Sequence, residues 1–193
     1  MGVVSDYRYR GISLSDGHPV AQLNVDRDFT DGAYAGLMLS GVRLDDERGW
    51  QWLPYAGIAR EHDGLRWDAG VQYQGFSKSG YDFVQWFAGI GGDRMQARLN
   101  YAPRYFGSGT SWYFEVDGQQ RLSAHWRLLG HAGVLRHQRR AEHDLRVGLA
   151  AEWRVAEVQL AWVRACCGPG YLEDEAYAPP DRNALVLQLV HRW

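Results

Sequence analysis

The sequence predicts an all-β protein, a transmembrane antiparallel up-and-down β-barrel of about 12 strands formed by residues 1–193 as a single domain. Three observations carry this: period-two alternation in many short segments, connection lengths that follow the order of the segments, and aromatic residues gathered at segment ends. In "RWDAGVQYQGF", residues 66–76, Arg66, Asp68, Gly70, Gln72 and Gln74 form one set. Trp67, Ala69, Val71, Tyr73 and Gly75 form the other. Such alternation gives a strand two faces. In a soluble sandwich the apolar face meets a second sheet. In an outer-membrane barrel it meets lipid, and the polar face lines the lumen.

In chain order, the first strand is expected near 3–10, with Asp6, Arg8 and Arg10 against Tyr9. Strands near 20–29 (Asp26 and Asp28 on the polar side) and 33–42 follow, then 51–62, whose alternation is weaker but whose composition is strand-like. After 66–76 comes 83–92, and then 94–103, where Arg94, Gln96, Arg98 and Asn100 alternate with Met95, Ala97, Leu99 and Tyr101. In 111–121 the polar set is Tyr113, Glu115, Asp117, Gln119 and Arg121, against Trp112, Phe114, Val116 and Gly118. Strands near 125–136 and 144–155 precede 158–165; in 144–155, Asp144, Arg146, Glu152 and Arg154 oppose Leu145, Val147, Leu149 and Trp153. The last, 184–193, ends on Trp193, the terminal aromatic that outer-membrane assembly machinery reads.

The connections sort by parity. Short ones fall at 30–32, 63–64, 92–93, 122–124 and 156–157, and longer ones at 11–19, 43–50, 77–82, 106–110, 137–143 and 166–183. Short turns at one end and long loops at the other are the outer-membrane pattern, short turns being periplasmic. Trp67, Trp126, Trp153 and Trp193 then fall at the periplasmic ends, and Tyr9, Trp52, Tyr73, Tyr101, Trp112 and Trp162 at the extracellular ends. Two aromatic girdles flank an aliphatic band, as at membrane interfaces.

Composition narrows the function classes. A formal charge of −2 excludes the basic excess of a general nucleic-acid binder. No apolar run reaches the roughly 18 residues of a membrane-spanning helix. Nine Trp and eleven Tyr suit interfaces where an apolar body meets a wet edge. Lys78 is the sole lysine, so positive charge is almost all arginine. The chain starts directly on a strand, so an exported protein would have lost its signal peptide.

The segments "VSDYRYRGISLSDGHPVAQLNVDRDFTDGAYAGL", "YAPRYFGSGTSWYFEV" and "LSAHWRLLGHAGV" resemble the TorF-like porin family, long described as conserved hypothetical proteins of Gram-negative bacteria. The likeness covers nearly the whole chain, and its Arg-Gly-Ile-Ser segment is fairly specific. It implies an outer-membrane barrel with a porin role, and it carries no catalytic residues. Trp193 stands where the family usually ends in Phe, and adjacent Cys166 and Cys167 depart from its pattern.

The chemistry sits on the polar face. Arg8, Arg10, Asp26, Arg66, Asp68, Arg94, Arg98, Glu115, Asp117, Arg146, Glu152 and Arg154 are expected to line the lumen, with a small arginine excess that would favour anions if the path is open. Twelve strands lie between eight, which side chains fill, and sixteen, which leave a channel. Either a charged conduit or a lumen shut by ion pairs fits. No "GxSxG" nucleophile setting is present, and His131 and His137 project inward by parity, so no enzyme is expected. Cys166 and Cys167 with His137 and His143 lack metal-ligand spacing; no metal or cofactor is expected. The expected reading is a monomeric barrel, in contact with outer-membrane lipid and lipopolysaccharide, that passes small polar solutes and binds no nucleic acid. The alternative is a closed barrel whose extracellular loops bind a ligand or partner.

Overall fold

The computed structural model describes residues 1–78, 80–138, 140–166 and 183–191. Twelve strands close into one antiparallel barrel: β1 (Gly2–Val4), β4 (Val20–Asp28), β5 (Ala33–Leu44), β6 (Glu47–His62), β7 (Leu65–Phe76), β8 (Phe83–Gly91), β9 (Met95–Ala102), β10 (Ser111–Arg121), β11 (Trp126–His137), β12 (Arg140–Trp153), β13 (Ala156–Cys166) and β14 (Asn183–His191). Neighbours in sequence pair in order, and β1 closes the ring by pairing with both β14 and β4. β1 closes the ring through Gly2–Val4, which register with Gln188–Val190 of β14 and Val20–Gln22 of β4, and elsewhere each strand pairs along its length with its sequence neighbours, the arrangement that satisfies backbone groups without water.

The outer face is apolar. Val25, Leu37, Val84, Leu99, Leu128, Val147, Leu149 and Leu187 are exposed there, whereas Gln51, Gln74, Gln85, Asn100, Asp144 and Glu157 are buried. This inversion of the soluble pattern follows from alternation and needs a hydrocarbon solvent outside.

Strand ends depart from expectation in two places. The segments 43–50 and 137–143 are not loops among the described residues: β5–β6 run on into a hairpin that turns at 45–46, and β11 and β12 extend to His137 and from Arg140, with Gln138 at φ 54°. Asp45 (φ 49°) and Asp46 (φ 64°) take the left-handed conformation of a two-residue hairpin turn, which Asp tolerates better than most residues. The same turn occurs at the opposite end, at Asp63 and Gly64.

The second departure lies at the N-terminus. Only Gly2–Val4 of the expected first strand joins the barrel. The chain then turns inward as a hairpin, β2 (Arg8–Tyr9) and β3 (Ile12–Ser13), which pairs only with itself. Its turn is Arg10 (φ 51°) and Gly11 (φ 78°). A Cβ on Gly11 would stand 2.8 Å from the Ala165 Cβ and 2.9 Å from the Asp144 Cβ, so the hairpin tip presses its backbone on the inner wall of β12–β13. Tyr9 is therefore inside the barrel rather than on the outer girdle.

Candidate functional site: a stoppered lumen

Two layers of side chains, an apolar cap and a belt of amides, close the lumen toward the long-loop end. At the long-loop end, Leu14, Val42, Leu44, Phe76, Phe83, Ala102, Tyr105 and Leu135 form a buried apolar cap against which Tyr7, Tyr81 and Phe106 pack. The 3-10 turn η1 (Tyr105–Gly107) delivers two of these rings, with Phe106 held at φ 45°. The Phe83 ring lies 4.9 Å from that of Tyr105 and 5.0 Å from that of Phe106. A closed ring of strands thus encloses what in a soluble protein would be a hydrophobic core.

Beneath the cap runs a belt of amides. The Gln22 amide donates to Ser40 Oγ (3.1 Å), Gln51 donates to Gln74, Gln85 to Asn100 (2.8 Å), and Asn100 to Glu115 (2.9 Å). These amides bond from one strand to the next, as burial favours, with Gln51 Oε1 left without a partner among the described residues. The hairpin docks on this belt. Gln74 donates to the Tyr9 hydroxyl (3.4 Å), and Tyr9 and Arg10 both donate to Gln85 Oε1, at 3.3 Å and 2.5 Å. The Arg10 guanidinium also stacks on the rings of Tyr9 (4.8 Å), Tyr105 (5.0 Å) and Tyr113 (4.1 Å). The hairpin therefore spans the lumen, from the β12–β13 wall at Gly11 to β8 at Gln85.

Asp6 braces its stem. The buried carboxylate accepts from Arg8 Nε (2.6 Å) and from the Ser13 hydroxyl (2.5 Å), while Ser15 Oγ accepts from the Tyr7 N–H (2.9 Å). The Arg43 N–H donates to the Leu14 carbonyl (2.7 Å), tying the hairpin's return limb to β5. The Arg-Gly-Ile-Ser segment of the sequence resemblance, Arg10 to Ser13, forms the turn and return limb of this hairpin stopper.

Toward the short-turn end the lumen opens. A cavity of about 550 Å³ is lined by Asp26, Asp28, Tyr34, Tyr55, Arg66, Asp68 and Arg98, among others. A second, of about 430 Å³, surrounds the hairpin and includes Asp6, Arg8, Arg10, Glu115, Asp117, His131, Asp144 and Arg146. Met38, Gln72 and Arg98 line both, so Arg98 stands at the junction. Arg98 donates to Asp68 (2.7 Å) and stacks on Phe87 at 4.7 Å; Tyr34 donates to the same carboxylate (3.1 Å). Deeper in, His131 bonds Asp117 and Asp144, both at 2.8 Å, and Arg146 lies 3.8 Å from Asp117. Ligand atoms of Glu115, Asp117 and His131 lie within 4.8 Å of one another, yet His131 is bonded to Asp117, Arg146 lies beside Asp117, and Glu115 accepts from Asn100.

Of the residues expected to line the lumen, Asp26, Arg66, Asp68, Arg98, Glu115, Asp117 and Arg146 line one or other of the two cavities from barrel strands, and Arg8 and Arg10 line the second from the hairpin. Glu152 lies 3.9 Å from Arg127, near the short-turn rim. Arg94 and Arg154 are corrected: both sit in connections between strands, Arg154 at φ 34°, and neither is on the wall. Their displacement removes the expected arginine excess. Seven carboxylates (Asp6, Asp26, Asp28, Asp68, Glu115, Asp117, Asp144) line the cavities against five arginines (Arg8, Arg10, Arg66, Arg98, Arg146).

On the outer face, Trp67, Trp112, Trp126, Trp153 and Trp162 are exposed, the Tyr101 ring lies 4.6 Å from that of Trp112, and Trp52 lies over Gly75 beside Tyr73. Exposed Trp50 and Trp86 also belong to this surface. Trp193, Cys167 and the 167–182 connection lie outside the described residues. His137 donates to the Ser108 carbonyl (3.0 Å), while His143 lies opposite Cys166 in register, so these histidines are engaged separately.

The barrel is similar to two solved structures of a KdgM porin. One matches with a TM-score of 0.66 at 8% identity, covering 100% of this chain and 99% of that one. The other, described as KdgM porin in complex with disordered oligogalacturonate, matches with a TM-score of 0.63 at 9% identity, covering 100% and 99%. At such identity the likeness bears on the fold alone, and that fold is a twelve-stranded antiparallel closed barrel. No curated protein matches the sequence. A family model described as "Bacterial protein of unknown function (Gcw_chp)" matches residues 1–169, and the chain belongs to that family.

Proposed function

We propose that the protein is an outer-membrane channel for small polar solutes, held shut at its long-loop end by its own N-terminal hairpin. The observation that carries this is the inward hairpin docked through Tyr9 and Arg10 on Gln85, above a polar cavity of about 550 Å³. A barrel whose only task was to stay closed would gain by filling that cavity with side chains. The resemblance to TorF-like porins and the fold shared with KdgM porin support the same reading. Oligogalacturonate, present in one KdgM structure, is a polycarboxylate. The carboxylate excess here favours neutral or cationic solutes instead.

Liposome swelling tests the proposal. Vesicles bearing the folded protein are expected to swell slowly in small neutral polyols and not in larger oligosaccharides. Swelling no faster than protein-free vesicles contradicts a conducting role. A second reading, a closed barrel whose loops bind a ligand, draws on the apolar cap, which is packed like a permanent core. It would be established by a barrel that stays folded and impermeable after the hairpin is replaced.

A further inference from the structure

On the outer wall at the long-loop end, three consecutive strands carry basic side chains, two arginines flanking a histidine. Arg136 on β11, His143 on β12 and Arg164 on β13 are all exposed, beside the buried Leu135, Asp144 and Val163 that face the lumen. Arg136 pairs in register with Ala141, His143 with Val134 and Cys166, and Arg164 with Leu145. Each of these side chains is thus one diagonal step from the next, about 7–8 Å across the sheet. None is ion-paired with a described residue. Arg43, elsewhere on this rim, has Asp16 at 4.0 Å and His18 at 3.2 Å.

The wall beneath these side chains is apolar. Val134, Leu145, Trp162 and Leu185 are exposed there, and Trp112 stands directly opposite Arg136. Asn183, in register with Arg164, adds a neutral amide donor. An anion set among them gains charged donors from Arg136 and Arg164 and a ring nitrogen from His143. Arginine matches phosphate with paired N–H groups. A free anion would use the charges but leave the apolar wall bare. A lipid with phosphate at its head and acyl chains below uses both.

We infer that the outer wall of β11–β13 is a docking surface for a phosphorylated glycolipid, its phosphates on Arg136, His143 and Arg164 and its chains along Val134, Leu145 and Leu185. This rests on the outer-membrane location proposed above but not on conductance. A shut barrel that binds the lipid would fail the channel reading alone.

The test uses the full chain folded in zwitterionic micelles. Binding of bis-phosphorylated lipid A, of its dephosphorylated form and of inorganic phosphate is measured by native mass spectrometry and by the shift in heat-induced unfolding. The wild type is expected to bind the phosphorylated lipid at least about tenfold more tightly than the dephosphorylated one, since charge-assisted hydrogen bonds each contribute on that scale. R136Q/R164Q should lose this preference, and R27Q/R60Q, at the short-turn end, should keep it. If the double variant does not fold, R164Q alone is read in the same way against R164K, which should retain part of the preference. A preference unchanged in the Gln variants overturns the inference. So does equal binding of the two lipids, or inorganic phosphate stabilising as strongly as the lipid.

Discussion

Replacing Gly11 by valine attacks the stopper without touching a barrel strand. Gly11 sits at φ 78°, where a β-branched residue is strained by roughly 1–3 kcal/mol. Its new Cβ would also stand 2.8 Å from Ala165 Cβ and 2.9 Å from Asp144 Cβ. These neighbours belong to a closed sheet and yield little, so overpacking adds about 1–3 kcal/mol. Together the docked hairpin loses about 2–6 kcal/mol relative to an undocked one, and at about 1.4 kcal/mol per tenfold the undocked population rises at least roughly 30-fold. Single-channel recording should show this as a matching rise in the time spent conducting, with the heat-modified gel shift of the folded barrel retained. G11A, with less bulk, should lie between the two. A folded G11V barrel that conducts no more often than wild type would refute the claim that Gly11's close approach holds the stopper in place.

Four further outcomes are expected. V71R should impair insertion into vesicles by about 2–4 kcal/mol if Val71 meets the bilayer midplane, while Q72R, on the cavity side, should be far milder; equal effects would reverse the face assignment. R127A strands the Glu157 carboxylate, which is 2% exposed, and should cost about 3–5 kcal/mol of unfolding stability; a change under about 1 kcal/mol would show that the Gln159 hydrogen bond suffices. A cysteine placed at Asp46 should react with a bulky maleimide on intact cells and one at Asp63 should not, and the opposite result would invert the barrel. Once the stopper is removed, D26N/D28N should move the reversal potential away from cation preference, and an unmoved potential would show that these carboxylates do not face the path.

The barrel was legible because its two solvents write alternation into every long strand: Trp67 and Val71 against Asp68 and Gln72 already declare two faces. Strand ends were less legible. The runs 43–50 and 137–143 look like loops because they are charged, yet strands that project past the apolar band carry charge without leaving the sheet. The stopper was hidden for a related reason. Residues 6–10 alternate as a strand does, and a hairpin inside a lumen keeps that alternation while giving up both barrel partners. The signal that pointed inward was Arg10-Gly11 followed by Ile12, a turn pair between two short strands. The amide belt escaped notice because charged residues drew attention away from Gln51, Gln74 and Gln85, which parity also places inside.

The central claim is that residues 5–19 close a path that the barrel otherwise provides. Val4 and Val20 are register partners on adjacent strands, so a short Gly/Ser turn can replace the whole segment without altering the ring. Planar-bilayer recording of that variant beside the wild type tests the claim directly. The account predicts rare, brief conductance steps for the wild type and sustained, larger, reproducible steps for the variant. A variant that folds, inserts and stays as silent as the wild type would contradict it.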